Sequence, residues 1–178
     1  MLDEDDHDDH PGHDSSILHD QHTWLGREAS KIMAGHIFDS VTDLLPENSE
    51  MYAENYSALL SDIDQVFDEL SVELAPLKGK TVFVFHPSFG YFFDEFGIIQ
   101  EAVETGGKEP TAKNLVQLIE KAKEEKPPAI FVQKQFPVKA AETVAEAAGA
   151  KVIMLDPLAE DWLDNIRVMG NMLKTIAK

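Results

Sequence analysis

The sequence contains no cysteine. Disulfides, thiolate metal sites and cysteine nucleophiles are therefore excluded, and any metal chemistry must use His, Asp or Glu. Positive charge is scarce too: 15 Lys and Arg stand against 33 Asp and Glu, a formal net charge of −18. That balance argues against nucleic acid and anionic membrane surfaces as partners and suits metal cations. No apolar run approaches the ~18 residues of a membrane span. The N-terminus is acidic where a signal peptide would be basic and then apolar, so the chain reads as lacking an export signal. There is no Gly-rich phosphate loop, Gly106-Gly107 reading as a turn. What is present is a hydrophobic share of 43% in 178 residues, enough for a real core in one domain, or in one domain and pieces of another.

The acidity is unevenly spread. Residues 1–22 hold eight acidic side chains and no Lys or Arg, which leaves 25 acidic against 15 basic elsewhere, a net of −10. His7, His10, His13, His19 and His22 are interleaved with the acids. So charged a segment, so poor in apolar residues, cannot offset its ordering entropy and reads as a flexible arm. His- and Asp-rich tracts chelate divalent cations weakly and in many geometries; the alternative is a solvated acidic tail.

From Trp24 to Leu45 the apolar positions Leu25, Ala29, Ile32, Met33, Ile37, Val41 and Leu44 recur at three and four, which predicts an amphipathic helix ended by Pro46. A second, long helix is predicted over 49–74 and reads as a strut between parts. The chain then alternates. Strands are predicted at 81–86, 97–103, 129–132 and 151–155, and helices at 90–95, 110–125, 137–148 and 160–177. The pattern implies βαβ units: an α/β fold with a parallel sheet and helices on both faces, preceded by a long linking helix. The organisation read from this is an arm (1–22), a helix (23–46), the long helix (47–78) and an α/β lobe (79–178).

Two predicted strands end in ligand-type side chains. His86 follows Val82-Phe83-Val84-Phe85, and Asp156 follows Val152-Ile153-Met154-Leu155. In open α/β sheets ligands bind at the carboxyl ends of strands. His22 precedes the first helix and is a third candidate. Imidazole and carboxylate form a good zinc set. By spacing alone the alternatives stay open: a hydrogen-bonded structural histidine, and a strand–Asp–Pro turn. His36 lies within a helix and reads as structural.

Taken together, several motifs resemble the zinc and manganese substrate-binding proteins of ABC importers. They are His22-Thr23-Trp24-Leu25, Val84-Phe85-His86-Pro87-Ser88-Phe89-Gly90-Tyr91-Phe92, Glu109-Pro110-Thr111-Ala112-Lys113-Asn114-Leu115, Ile130-Phe131-Val132 with Gln135-Phe136, and Leu155-Asp156-Pro157-Leu158. Order and spacing fit from His22 to the C-terminus. The acidic His-rich stretch also resembles the metal-binding loop of zinc-importing members. The resemblance implies two α/β lobes joined by a rigid helix with a metal between them, and makes 79–178 the C-terminal lobe. It implies His22, His86 and Asp156 as ligands, with His7, His10, His13 and His19 as weak auxiliary ones and Phe89, Tyr91 and Phe136 walling the cleft. Manganese members usually place Glu at the position of His86, so nitrogen there favours Zn2+ over Mn2+.

By the same resemblance, most of the first lobe, its first ligand histidine and its signal or lipid anchor have no counterpart. The chain then reads as a C-terminal fragment or a natural short form. Three protein ligands need a fourth from water, an arm histidine or a second chain. The 24–45 helix, deprived of its sheet, is expected to fold back on the second lobe or to mediate self-association. The implied function is capture of Zn2+ in the periplasm or another extracytoplasmic space and delivery to a membrane permease, without chemistry. A metal buffer acting through the arm, or a zinc-dependent hydrolase, are the competing readings.

Overall fold

The computed structural model describes residues 20–103, 111–136 and 138–177. The arm histidines His7, His10, His13 and His19, and the expected helix-starting residues Pro110 and Pro137, lie outside them.

The apolar run that dominates the sequence forms strand β1 (Thr81–Val84) and continues to Phe85, whose N–H donates to the Phe131 carbonyl at 2.7 Å. Side chains alternate along a strand. Val82 and Val84 enter one apolar cluster and Phe83 and Phe85 another, all of them buried. Three further strands, β2 (Ile99–Ala102), β3 (Ala129–Gln133) and β4 (Lys151–Leu155), complete a four-stranded parallel sheet in the order β2-β1-β3-β4. Helix α2 (Ser49–Glu73), α3 (Gly90–Glu95) and α6 (Trp162–Lys174) supply the first cluster. Helices α4 (Ala112–Glu125) and α5 (Lys139–Ala148) supply the second. The expected parallel sheet with helices on both faces is therefore present. From β1 the chain goes to β2 on one side, then crosses back to β3 on the other. That reversal makes the carboxyl ends of β1 and β3 the switch point, where such sheets bind ligands.

Local chemistry explains the boundaries. Thr111 caps α4 by accepting the Asn114 N–H at 3.2 Å. Gly149, at φ 70°, closes α5 in the left-handed conformation. Gly170 lets α6 cross α2 closely, because a Cβ there would overlap the Leu70 side chain.

One expectation is corrected. The 24–45 segment is not one helix: Thr23–Leu25 is a 3-10 turn, Gly26 is extended (φ −98°, ψ 142°), and α1 runs Arg27–Leu44. The break has a packing reason, since a Cβ on Gly26 would sit 3.0 Å from Tyr91 Cβ. It turns Leu25 into the core, fully buried. Helix α1 lies along α2, and its first turn also reaches α3, where Arg27 Nη1 stands 3.7 Å from the Glu95 carboxylate. Arg27 donates to Asp64 at 2.9 Å and to Asp68 at 2.8 Å, Lys31 reaches Asp64 at 2.9 Å, and Phe38 stacks on Tyr56 at 4.8 Å. Hydrogen bonds from Lys31 and Arg27 hold the Asp64 carboxyl below its ordinary value of 3.8. Three apolar side chains of α1 stay in water, with Ile32 60%, Ile37 64% and Leu44 77% exposed. Between the two helices runs an apolar groove of about 430 Å³ lined by Met33, Ile37, Phe38, Val41, Tyr52 and Tyr56.

Candidate metal centre

Four chain segments meet at the carboxyl edge of the sheet. The first is the turn leading into α1. Trp24 donates from its indole to the Pro157 carbonyl at 2.9 Å, and its own carbonyl accepts from Trp162 Nε1 at 2.7 Å and Ser30 Oγ at 2.9 Å. The segment carrying His22 is thereby tied to the turn just after Asp156.

The second segment follows β1. His86 lies beside His22, with ring centroids 5.3 Å apart and planes at 77°. Its loop is pinned by Gln133, the last residue of β3 and fully buried. Gln133 Nε2 donates to the His86 carbonyl at 2.6 Å and to Ser88 Oγ at 2.7 Å, while its Oε1 accepts the His86 N–H at 3.3 Å. A buried amide without such partners would be costly, so the side chain and the loop stabilise each other.

The third segment follows β3. Phe136 stacks on the His86 ring at 4.8 Å and packs on Phe85 at 5.6 Å. Gln135 donates to Asp156 Oδ1 at 2.9 Å. The fourth segment carries Asp156 after β4. Its Oδ1 also accepts the Leu158 N–H at 3.1 Å, Lys134 Nζ stands 3.3 Å from Oδ2, and its carbonyl accepts from Asn165 Nδ2 at 2.7 Å. The hydrogen bond from Gln135, helped by Leu158 and Lys134 against the opposing effect of burial, holds the carboxyl below its usual range. Asp156 is thus kept as an anion with a lysine ammonium at one oxygen.

The structure brings His22 and His86 together. Asp156 belongs to the same edge but is engaged by Lys134 and Gln135, and among the described residues no group of three or more His, Asp or Glu is already gathered as a metal cage. Of the expected cleft walls, Phe136 covers His86, and Tyr91 is 37% exposed with its hydroxyl 3.4 Å from the Asp20 carbonyl. Phe89 is fully buried in the core and stacks on Phe93, so it supports the loop from beneath. Sequence reasoning missed two residues. Gln133 ends an otherwise apolar run, and an amide in a buried strand announces a partner. Asp20, which touches His22, was hidden among the acids of the arm.

The donor set fits zinc. Two neutral imidazoles on one tetrahedral Zn2+, with Zn–N of about 2.0–2.1 Å, place their ring centres roughly 5 Å apart. Imidazole nitrogen suits zinc better than manganese.

The whole chain, residues 1–178, matches a protein-family profile described as zinc-uptake complex component A, periplasmic. It is 29% identical over 161 residues to the high-affinity zinc uptake system protein ZnuA of Brucella abortus, an alignment covering 89% of this chain and 48% of that protein. A crystal structure of ZnuA superposes with a TM-score of 0.86 at 35% identity, over 89% of this chain and 62% of the other. A zinc-bound ZnuA lacking residues 138–173 of its own numbering superposes at 0.85 and 34% identity, over 91% and 62%. The chain spans about half the length of the curated relatives it matches.

Proposed function

Because the chain belongs to the family of the periplasmic component A of zinc-uptake complexes, we propose that it is a solute-binding part of a zinc ABC importer, capturing Zn2+ outside the cytoplasm for a membrane permease. The observation that carries this reading is the His22–His86 pair, whose 5.3 Å ring separation suits two imidazoles on one ion. Zn2+ is the cargo. It is held by His22, His86 and Asp156, and water, an arm histidine or a second chain supplies a fourth donor. The ion takes the place of the Lys134 ammonium beside Asp156 Oδ2; Lys134 is 63% exposed and free to swing into water. A negative net charge of −18 draws cations toward the site. The protein does no chemistry on its cargo. Self-association belongs to the same reading, through α1, whose Ile37 and Leu44 are exposed on one face.

Calorimetric zinc titration tests it. The comparison is between the chain with His7, His10, His13 and His19 all changed to alanine and the same chain carrying His86→Ala and Asp156→Ala. The first is expected to bind one zinc, and the second to bind it at least about 100-fold more weakly, close to 3 kcal/mol. If removing the arm histidines alone abolishes binding, the arm is a buffer and the cleft reading fails.

A further inference from the structure

We infer that Asp20 is a positioning residue for His22, and that Gly90 is the space its carboxylate occupies. The inference deepens the zinc-capture reading and depends on it only for the purpose of the contact. Asp20 Oδ1 lies 2.6 Å from His22 Nδ1 and accepts the His22 backbone N–H at 2.9 Å. An ionised carboxylate only accepts, so the short contact requires the ring proton on Nδ1. In the neutral ring the lone pair is then on Nε2, which becomes the atom available to a metal. A carboxylate behind a ligating imidazole fixes its tautomer and orientation.

Two residues of α3 border Asp20. The Tyr91 hydroxyl donates to the Asp20 carbonyl at 3.4 Å. Asp20 Oδ2 lies where a Cβ on Gly90 would approach it to 2.7 Å. Gly90 is not among the glycines with positive φ. Alanine is therefore compatible with its backbone, and the substitution removes space rather than conformational freedom. The glycine thus has a reason that turn geometry does not provide: it lets the α3 segment close on the Asp20 carboxylate.

The test uses the full chain and two readouts. Nitrogen-15 NMR of the metal-free protein reads the His22 tautomer, and calorimetry reads zinc affinity. The parent should show His22 protonated at Nδ1. Asp20→Ala should shift the ring toward the Nε2-protonated form and weaken zinc binding by about 10- to 100-fold, and Gly90→Ala, which obliges the carboxylate only to turn, should do so less. Asp20→Asn, whose amide oxygen still accepts, should keep the tautomer and lose less affinity. Thermal unfolding of each variant controls for misfolding. An Nε2-protonated ring in the parent, or an unchanged tautomer in Asp20→Ala, overturns the inference even if binding weakens. If no protein binds zinc, the functional reading fails while the tautomer still decides the role of Asp20.

Discussion

Replacing Phe67 with alanine is expected to destabilise the protein by about 3–5 kcal/mol. Domains of this size have about 5–15 kcal/mol in total, so this one change should remove at least about a fifth of it. Phe67 is fully buried in the inner face of α2. Its ring stacks on Phe96 at 6.0 Å and meets Phe92 edge-on at 6.4 Å. Both partners belong to α3 or its end, the element directly after the His86 loop. Truncation therefore leaves a cavity where the long helix meets the floor of the site, and rings on two elements lose their packing partner. The proper control is Val72→Ala in the same helix, a residue 78% exposed, expected within about 0.5 kcal/mol of the parent. Urea unfolding followed by circular dichroism measures both. Equal costs for Phe67→Ala and Val72→Ala would mean that α2 is not docked on the sheet as described.

Changing Gln133 to leucine should cost both stability and zinc affinity. The substitution keeps approximate size but removes the donor to the His86 carbonyl and Ser88 Oγ and the acceptor of the His86 N–H. Ser88 is 1% exposed, so water does not readily replace the lost partner. Each buried group left unsatisfied costs about 1–3 kcal/mol. The loop that presents His86 then loses its anchor to the end of β3, and affinity should fall by about 10- to 100-fold, as for other residues that orient a ligand from behind. Leucine at 133 thus differs from Phe67→Ala, which mainly lowers stability. A Gln133→Leu protein with unchanged zinc affinity would show that His86 does not need this support.

Much of this organisation was readable in the residues. Val82 to Phe85 form a run without polar interruption, so a strand buried on both faces follows, and His86 must then stand at its carboxyl end. Thr111, Gly149 and Pro127-Pro128 mark helix ends through local chemistry, and local chemistry is visible in sequence. The Gly26 break was not legible. Trp24 and Leu25 keep the helical period with the residues after them, and the close approach of Tyr91 that demands a glycine comes from 65 positions away. Asp20 and Gln133 were missed for a related reason. Their roles are contacts to His22 and His86 made only when the turn before α1 and the end of β3 meet at the sheet edge. Strand order itself depends on such long-range pairing, so the neighbourhood of His86 and Gln133 was beyond any local pattern.

Zinc capture as proposed requires that one ion sit on the His22 and His86 rings. The most direct measurement is zinc-edge X-ray absorption on the chain with its four arm histidines changed to alanine and one equivalent of Zn2+ bound. Two imidazoles among nitrogen and oxygen donors at about 2.0–2.1 Å are expected. The count should drop to one in either His22→Ala or His86→Ala. An unchanged imidazole count in both variants would place the metal elsewhere and contradict the site.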